Sequence, residues 1–312
     1  MFSNNKVVVA NTEDDTLSFI DLADRRILRT MNLRQGGNIL NGTDSIGPYD
    51  LLYDGDGYIY CANIYDNSIF KIDINRMEIA DILYVGSYPI RIKSYLGNIM
   101  TVNSDSNSIS IIEKQTFTLA QGISVGEKPI DMEIDRECVK LYVANSNSHS
   151  IHVIDLLQRK NRVIKLKHSP IGIILEGEYI YILSIIDDGT DSISNISIMD
   201  RRRFKIRESM DFSGIFNSMI KINGCELVFT TGISDGYLYR MDMREGNILN
   251  KTYLSGMPNR VEWNGENILI ITNLSSNRLI IFDIDTDRII DSIEVGKGPN
   301  GVLILNESGA ID

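Results

Sequence analysis

Tryptophan occurs once, cysteine and histidine three times each and proline six times in a chain of 312 residues. Each scarcity excludes something. Cys61, Cys138 and Cys225 form no Cys-x-x-Cys pair and are odd in number, so neither a disulfide framework nor a zinc knuckle is encoded, and a reducing compartment fits. Positive charge is short as well. Against 42 Asp and Glu stand 31 Lys and Arg, and the net −11 repels phosphate backbones, which argues against nucleic acid as a partner. Nowhere do about 18 apolar residues run together, so no membrane-spanning helix is expected. Met1 to Asp15 hold one lysine and a short apolar run, Val7 to Ala10, too little for a secretory leader. The expectation is a cytoplasmic monomer that does not insert into membranes and carries no cofactor.

Apolar sequence, in contrast, is plentiful. With 43% hydrophobic and 23% charged residues the chain can bury a sizeable core, which rules out disorder. That sequence is periodic. A short β-type run ends in a small polar residue, and an acid closes a second β-type run some ten residues later. The polar anchors are Asn11, Asn63, Asn103, Asn145, Ser184, Thr231 and Asn273, and their acids are Asp21, Asp73, Glu113, Asp155, Asp200, Asp242 and Asp283. The separations are 10, 10, 10, 10, 16, 11 and 10 residues. Successive anchors lie 52, 40, 42, 39, 47 and 42 residues apart, the interval of four-stranded propeller blades.

Pro48, Pro89, Pro129, Pro170, Pro258 and Pro299 all fall at one place in the repeat, just before an apolar run; only the repeat anchored at Thr231 lacks one. Proline donates no backbone hydrogen bond, so it is tolerated where a strand begins or borders a sheet. One repeat then reads as strand A at Ile130 to Asp135, B at Leu141 to Ala144, C at Ile151 to Ile154 and D at Arg162 to Leu166. The chain opens in a strand B, Val7 to Ala10, and closes with a proline-led strand A, Val302 to Leu305, so the last strand must complete the first blade. The predicted fold is all-β: a seven-bladed β-propeller of four-stranded antiparallel blades, one domain over residues 1–312, its ring closed by the C-terminal strand.

Leu141-Tyr142-Val143-Ala144-Asn145 followed by Ser150 to Asp155, and Tyr58 to Asn63 followed by Ser68 to Asp73, resemble the YVTN-repeat, YncE-like seven-bladed propellers. The resemblance covers essentially the whole chain and implies fold, since that family has no shared catalytic signature to carry over. WD40 blades are disfavoured by the single Trp263, and kelch blades by the single double glycine, Gly36-Gly37.

The repeat acids sit where strand C meets a tight turn, and Asp there hydrogen-bonds backbone N–H groups two residues on, so turn-making accounts for them. Asp283, Asp285 and Asp287 with Glu294 imitate a calcium-loop spacing, but Arg288 stands where the loop requires glycine. The histidines, His149, His152 and His168, all lie between the fourth anchor and the next strand A; His168 is expected at the channel mouth.

Counted from each proline, or from Asn217 where it is missing, the second and fourth residues of strand A should line the channel. The second positions are Asp50, Arg91, Asp131, Gly172, Met219, Arg260 and Gly301; the fourth are Leu52, Lys93, Glu133, Ile174, Lys221, Glu262 and Leu303. Acids and bases on adjacent blades predict a neutralised polar wall, or a mouth for a zwitterionic or peptide ligand. Two long connections, Arg34 to Ile46 and Ile185 to Ser192 with Asp187, Asp188 and Asp191, belong on one face. The functional expectation is a non-enzymatic interaction or scaffold propeller that binds a protein, peptide or small ligand at the channel mouth on that face. Its candidate ligand-binding residues are Asp50, Arg91, Asp131, His168, Arg260, Asp187, Asp188 and Asp191. The alternative is a metal-dependent lyase or hydrolase using His168 with Asp50 or Asp131 around a divalent ion.

Overall fold

Alternation within the apolar runs explains the architecture. Val7, Val8, Val9 and Ala10 are all fully buried, although successive strand residues point to opposite faces. Both faces must therefore be covered. In the computed structural model Val7 and Val9 pack with Ile270, Leu279 and Ile281 on one side, while Val8 and Ala10 pack with Leu51, Ile59 and Cys61 on the other. The same division recurs around the molecule. Seven apolar clusters fill seven seams, one between each pair of neighbouring sheets.

The structure describes residues 6–35, 45–53, 55–158, 160–186 and 193–305. These form seven four-stranded antiparallel sheets, each ordered A-B-C-D from the channel outward. The innermost strands are Pro299–Leu305, Pro48–Tyr53, Pro89–Tyr95, Pro129–Asp135, Ser169–Glu176, Phe216–Lys221 and Pro258–Trp263, in blades 1 to 7. Each touches the next, and the last touches the first. Pro299–Leu305 pairs with Lys6–Asn11, so the C-terminal strand completes blade 1 as the repeat requires. The only helical element among the described residues is a 3-10 turn, Leu33–Gln35.

Proline's place has a geometric cause. The register slips between Pro48 and Asp50, Pro89 and Arg91, Pro129 and Asp131, and Pro170 and Gly172, so the residue after each proline bulges from the ladder. Blade 6 makes the same slip between Phe216 and Ser218, with Phe216 opposite Gly232. The anchor of that repeat is therefore Gly232 and not Thr231. Its distance to Asp242 becomes the usual 10 residues, and its second and fourth positions become Ser218 and Ile220 in place of Met219 and Lys221. Lys221 instead is buried between blades 5 and 6, paired with Glu176 over the Tyr181 ring.

The turns follow equally local rules. Asp21, Asp73, Asp155, Asp200, Asp242 and Asp283 each accept backbone N–H groups two and three residues on. Four residues past the anchor, the B–C turns of the six blades described there hold a left-handed residue: Asp15, Asn67, Asn107, His149, Gly236 and Asn277. Those side chains reach to the next blade. Asn67, Asn107 and Asn277 accept the N–H of Tyr88, Lys128 and Gly298, and His149 Nε2 lies 3.1 Å from Ser169 Oγ. Val-Gly-x-x-Pro, at Val85, Val125 and Val295, completes this clasp. A Cβ on Gly86, Gly126 or Gly296 would fall within 2.8 Å of the anchor Asn103, Asn145 or Asn11.

Candidate functional site

Strand A of every blade enters at the proline end and leaves at the A–B turn, so residues along it mark depth in the channel. A cavity of about 560 Å³ is lined by the later parts of these strands, among them Tyr53, Ser94, Arg136, Leu175 and Trp263. A smaller one, about 130 Å³, reaches the earlier parts, with Asp131, Gly172 and Asn217. Lys93, Glu133, Arg260 and Glu262 line both and form the waist between them. The wide mouth therefore opens among the A–B and C–D turns. The smaller cavity lies toward the face carrying the long connections, the one expected to hold the binding mouth.

Charge at the second and fourth positions of strand A is confined to a sector. Blades 2, 3, 4 and 7 contribute Asp50, Arg91, Lys93, Asp131, Glu133, Arg260 and Glu262, whereas blades 5, 6 and 1 contribute Gly172 and Ile174, Ser218 and Ile220, and Gly301 and Leu303. The predicted neighbours do meet. Arg91 Nε donates to Asp131 Oδ1 at 3.0 Å, and Lys93 pairs with Glu133 one step deeper. Arg260 donates to Glu262 at 2.9 Å and lies 3.9 Å from Asp50, two blades away across Gly301. A side chain at 301 is excluded, since a Cβ there would stand 2.4 Å from the Tyr49 carbonyl oxygen.

The carboxylates have a second duty that spacing alone did not reveal. Asp50 Oδ2 accepts the Ile92 N–H and Asp131 Oδ2 the Ile173 N–H, both at 3.0 Å, and Ser218 Oγ does the same for Val261 at 3.3 Å. Each thus satisfies a backbone donor of the next blade that faces the channel. Burial pushes the Glu133 carboxyl above its usual range; Lys93 opposes this and Asp131 adds to it. Burial works against the Arg260 charge, yet Glu262, Asp50 and Asp131 raise its pKa overall. An amide relay runs on the side of the smaller cavity. Asn217 donates to Asn259, Asn259 to Asn300 at 2.8 Å, Asn300 to Thr12 at 2.7 Å, and Thr12 to the Pro48 carbonyl at 2.6 Å.

His168 is half-buried in the connection leading to blade 5 and lines neither channel cavity. Burial and Lys167 lower its pKa, against Asp211. It is not brought to Asp50 or Asp131. Among the described residues no group of three or more His, Cys, Asp or Glu side chains converges to hold a metal ion. Asp187, Asp188 and Asp191 lie outside the described residues. At the other long connection, buried Asp15 fixes both ends: it pairs with Arg34 and accepts the N–H of Ile46 and Gly47 at 3.0 and 2.7 Å. No helix among the described residues is long and apolar enough to cross a membrane.

Sheet order, ring closure and channel together define a seven-bladed β-propeller. Hydrazine synthase of Kuenenia stuttgartiensis is a structural neighbour, at TM-score 0.75 and 15% identity over 85% of this chain and 91% of that one. The dihydro-heme d1 dehydrogenase NirN, in complex with DHE, superposes at TM-score 0.69 and 11% identity, over 99% and 77% of the two chains. AztD of Citrobacter koseri does so at 0.61 and 14%, over 98% and 99%. At such identities the likeness establishes the fold. No family model and no curated protein sequence matches the chain.

Proposed function

We propose that this propeller is a non-enzymatic binding module that takes a small ligand bearing both charges, a zwitterion or a peptide end, into the wide mouth of its channel. The observation that carries the reading is the Arg260 guanidinium at the waist. It is held by Glu262 at 2.9 Å but only loosely by Asp50, at 3.9 Å, so an incoming carboxylate can take the second side of its fork. Glu133 and Glu262 line the same cavities and can receive the ligand's cationic group, and the uncharged second and fourth positions of strand A in blades 5, 6 and 1 leave room for its body. Titration calorimetry with free amino acids and dipeptides tests this. The expected result is saturable binding that Arg260→Ala abolishes while the protein stays folded. Absence of heat across the panel, or binding indifferent to Arg260→Ala, refutes it.

A protein or peptide partner on the opposite face is a second reading. The support is Asp15, which pins Arg34 at one end of the long connection and Ile46 and Gly47 at the other. Shortening that connection should spare folding and channel binding while weakening capture of such a partner. Unchanged capture overturns it.

A further inference from the structure

The blade 5 rim contradicts the charge of the rest of the molecule. Asp200 to Arg207 reads Asp-Arg-Arg-Arg-Phe-Lys-Ile-Arg, five cations to one carboxylate in a chain of net charge −11. That carboxylate is occupied, accepting the N–H of Arg202 at 3.0 Å and of Arg203 at 2.8 Å. Arg201 turns inward to Asp135 and Glu137, and Arg202 meets Glu178 at 3.3 Å with both side chains largely in water. Arg203, Lys205 and Arg207 form no ion pair among the described residues. They border a depression of about 500 Å³ whose apolar floor is Ile206, 43% exposed. Arg162 of blade 4, stacked 4.6 Å from the Phe204 ring, extends the basic strip.

A second feature lies beside these cations. The outermost strand of blade 5, Ile206–Ser213, has eight residues, where the other blades have seven or five. Among the described residues it pairs only with Ile193–Asp200, so its outer side offers backbone donors and acceptors to solvent, and Ile206 to Ser209 are exposed. Ile206 is thus an apolar contact at the start of an open edge flanked by Arg203 and Lys205, which form no ion pair among the described residues, and by Arg207, which donates to the Tyr179 hydroxyl and lies 5.4 Å from its ring. An extended peptide satisfies edge, floor and charge together. A phosphate polymer uses only the charge, and the chain's overall −11 opposes its approach.

We propose that the blade 5 rim captures an extended acidic segment of a partner protein, which adds as a further strand beside Ile206–Ser213 with its carboxylates over Arg203, Lys205 and Arg207. This stands independently of the channel reading. The test is fluorescence anisotropy with a labelled alternating Glu-Val peptide against the full chain. Expected are saturable binding at low salt, weaker binding at high salt and none for an alternating Gln-Val peptide. Arg203→Glu with Lys205→Glu should weaken it about tenfold or more, whereas Arg25→Glu with Arg26→Glu, on blade 1, should not. Circular dichroism checks that both variants fold. Two versions of the probe, N-methylated at Glu or at Val positions, test strand addition; one must lose binding. Retention by both, indifference to the blade 5 reversal, or tighter binding of tripolyphosphate, duplex RNA or phosphatidylserine vesicles overturns the proposal.

Discussion

Removing the Arg91 guanidinium isolates one charge of the channel wall. Its side chain is 16% exposed and that of its partner, Asp131, 14%, so the pair is largely withdrawn from water and worth more than a surface pair. Arg91→Ala leaves Asp131 Oδ1 without its donor, while Oδ2 keeps the Ile173 N–H. An uncompensated, mostly buried carboxylate costs about 1–3 kcal/mol, and water entering from the channel holds the figure toward the lower end. Asp131→Ala should cost about 1 kcal/mol more, since the Ile173 N–H then also loses its acceptor. The reference is Arg76→Ala, whose side chain is 78% exposed and 3.8 Å from Asp73; its effect should stay within about 0.5 kcal/mol. Urea unfolding of the three single variants and the Arg91→Ala, Asp131→Ala double variant closes the cycle. The expected coupling is about 1 kcal/mol. An Arg91→Ala effect no larger than that of Arg76→Ala, or additive single effects, refutes the reasoning.

Three further outcomes are expected. Burial raises the Asp66 carboxyl from its usual 3.8 to about 6, opposed by its hydrogen bonds to Ser68. Its contribution is therefore fully favourable below the unfolded pKa and declines as pH rises through about 6, by up to about 3 kcal/mol. The difference in melting temperature between wild type and Asp66→Asn should grow across that window, and a flat difference counts against the burial. Gly126→Ala would place a methyl 2.3 Å from Ser148 Oγ and 2.8 Å from Asn145, so about 1–3 kcal/mol should be lost. Gly122→Ala, with nothing within 4 Å, should be near neutral, and equal melting temperatures would sink the clasp. Truncation before Pro299 removes the strand that pairs with Lys6–Asn11 and should yield aggregates by size-exclusion chromatography; a monomer of unchanged stability would deny the closure.

Local chemistry made much of the fold legible. Proline at the head of strand A, an acid at the end of strand C and apolar runs between them are requirements of turns and strand edges a few residues long, so they survive as a period in the sequence. Closure followed from the same period, because a chain that begins in strand B and ends in strand A leaves one blade to be shared. Where Phe216 replaces proline the period loses its marker: counting from Asn217 and Thr231 places the start of strand A one residue late and the anchor one residue early, and the bulge opposite Gly232 sets both.

Contacts between residues some forty positions apart were a different matter. That Asp131 meets Arg91, and that Asp50 caps Ile92 while sharing Arg260 with Glu262, depends on the rotation from blade to blade and on the reach of each side chain. Arg34 opens a long connection, and its partner is the buried Asp15 at the other side of the strand pair that joins Thr16 to Asn32, while the same Asp15 reaches Ile46 and Gly47 at the head of blade 2. His168 stood at the right point in the repeat for the channel, yet it lines neither channel cavity. The sequence by itself determined seven blades, their order and their closure, because those are consequences of short-range backbone chemistry repeated along one chain. Which end of the channel holds the larger cavity, which charges neutralise one another and where, among the described residues, Arg203 and Lys205 are left without an ion pair on the blade 5 rim were decided by the tertiary structure, because each depends on side chains that only the folded ring brings together.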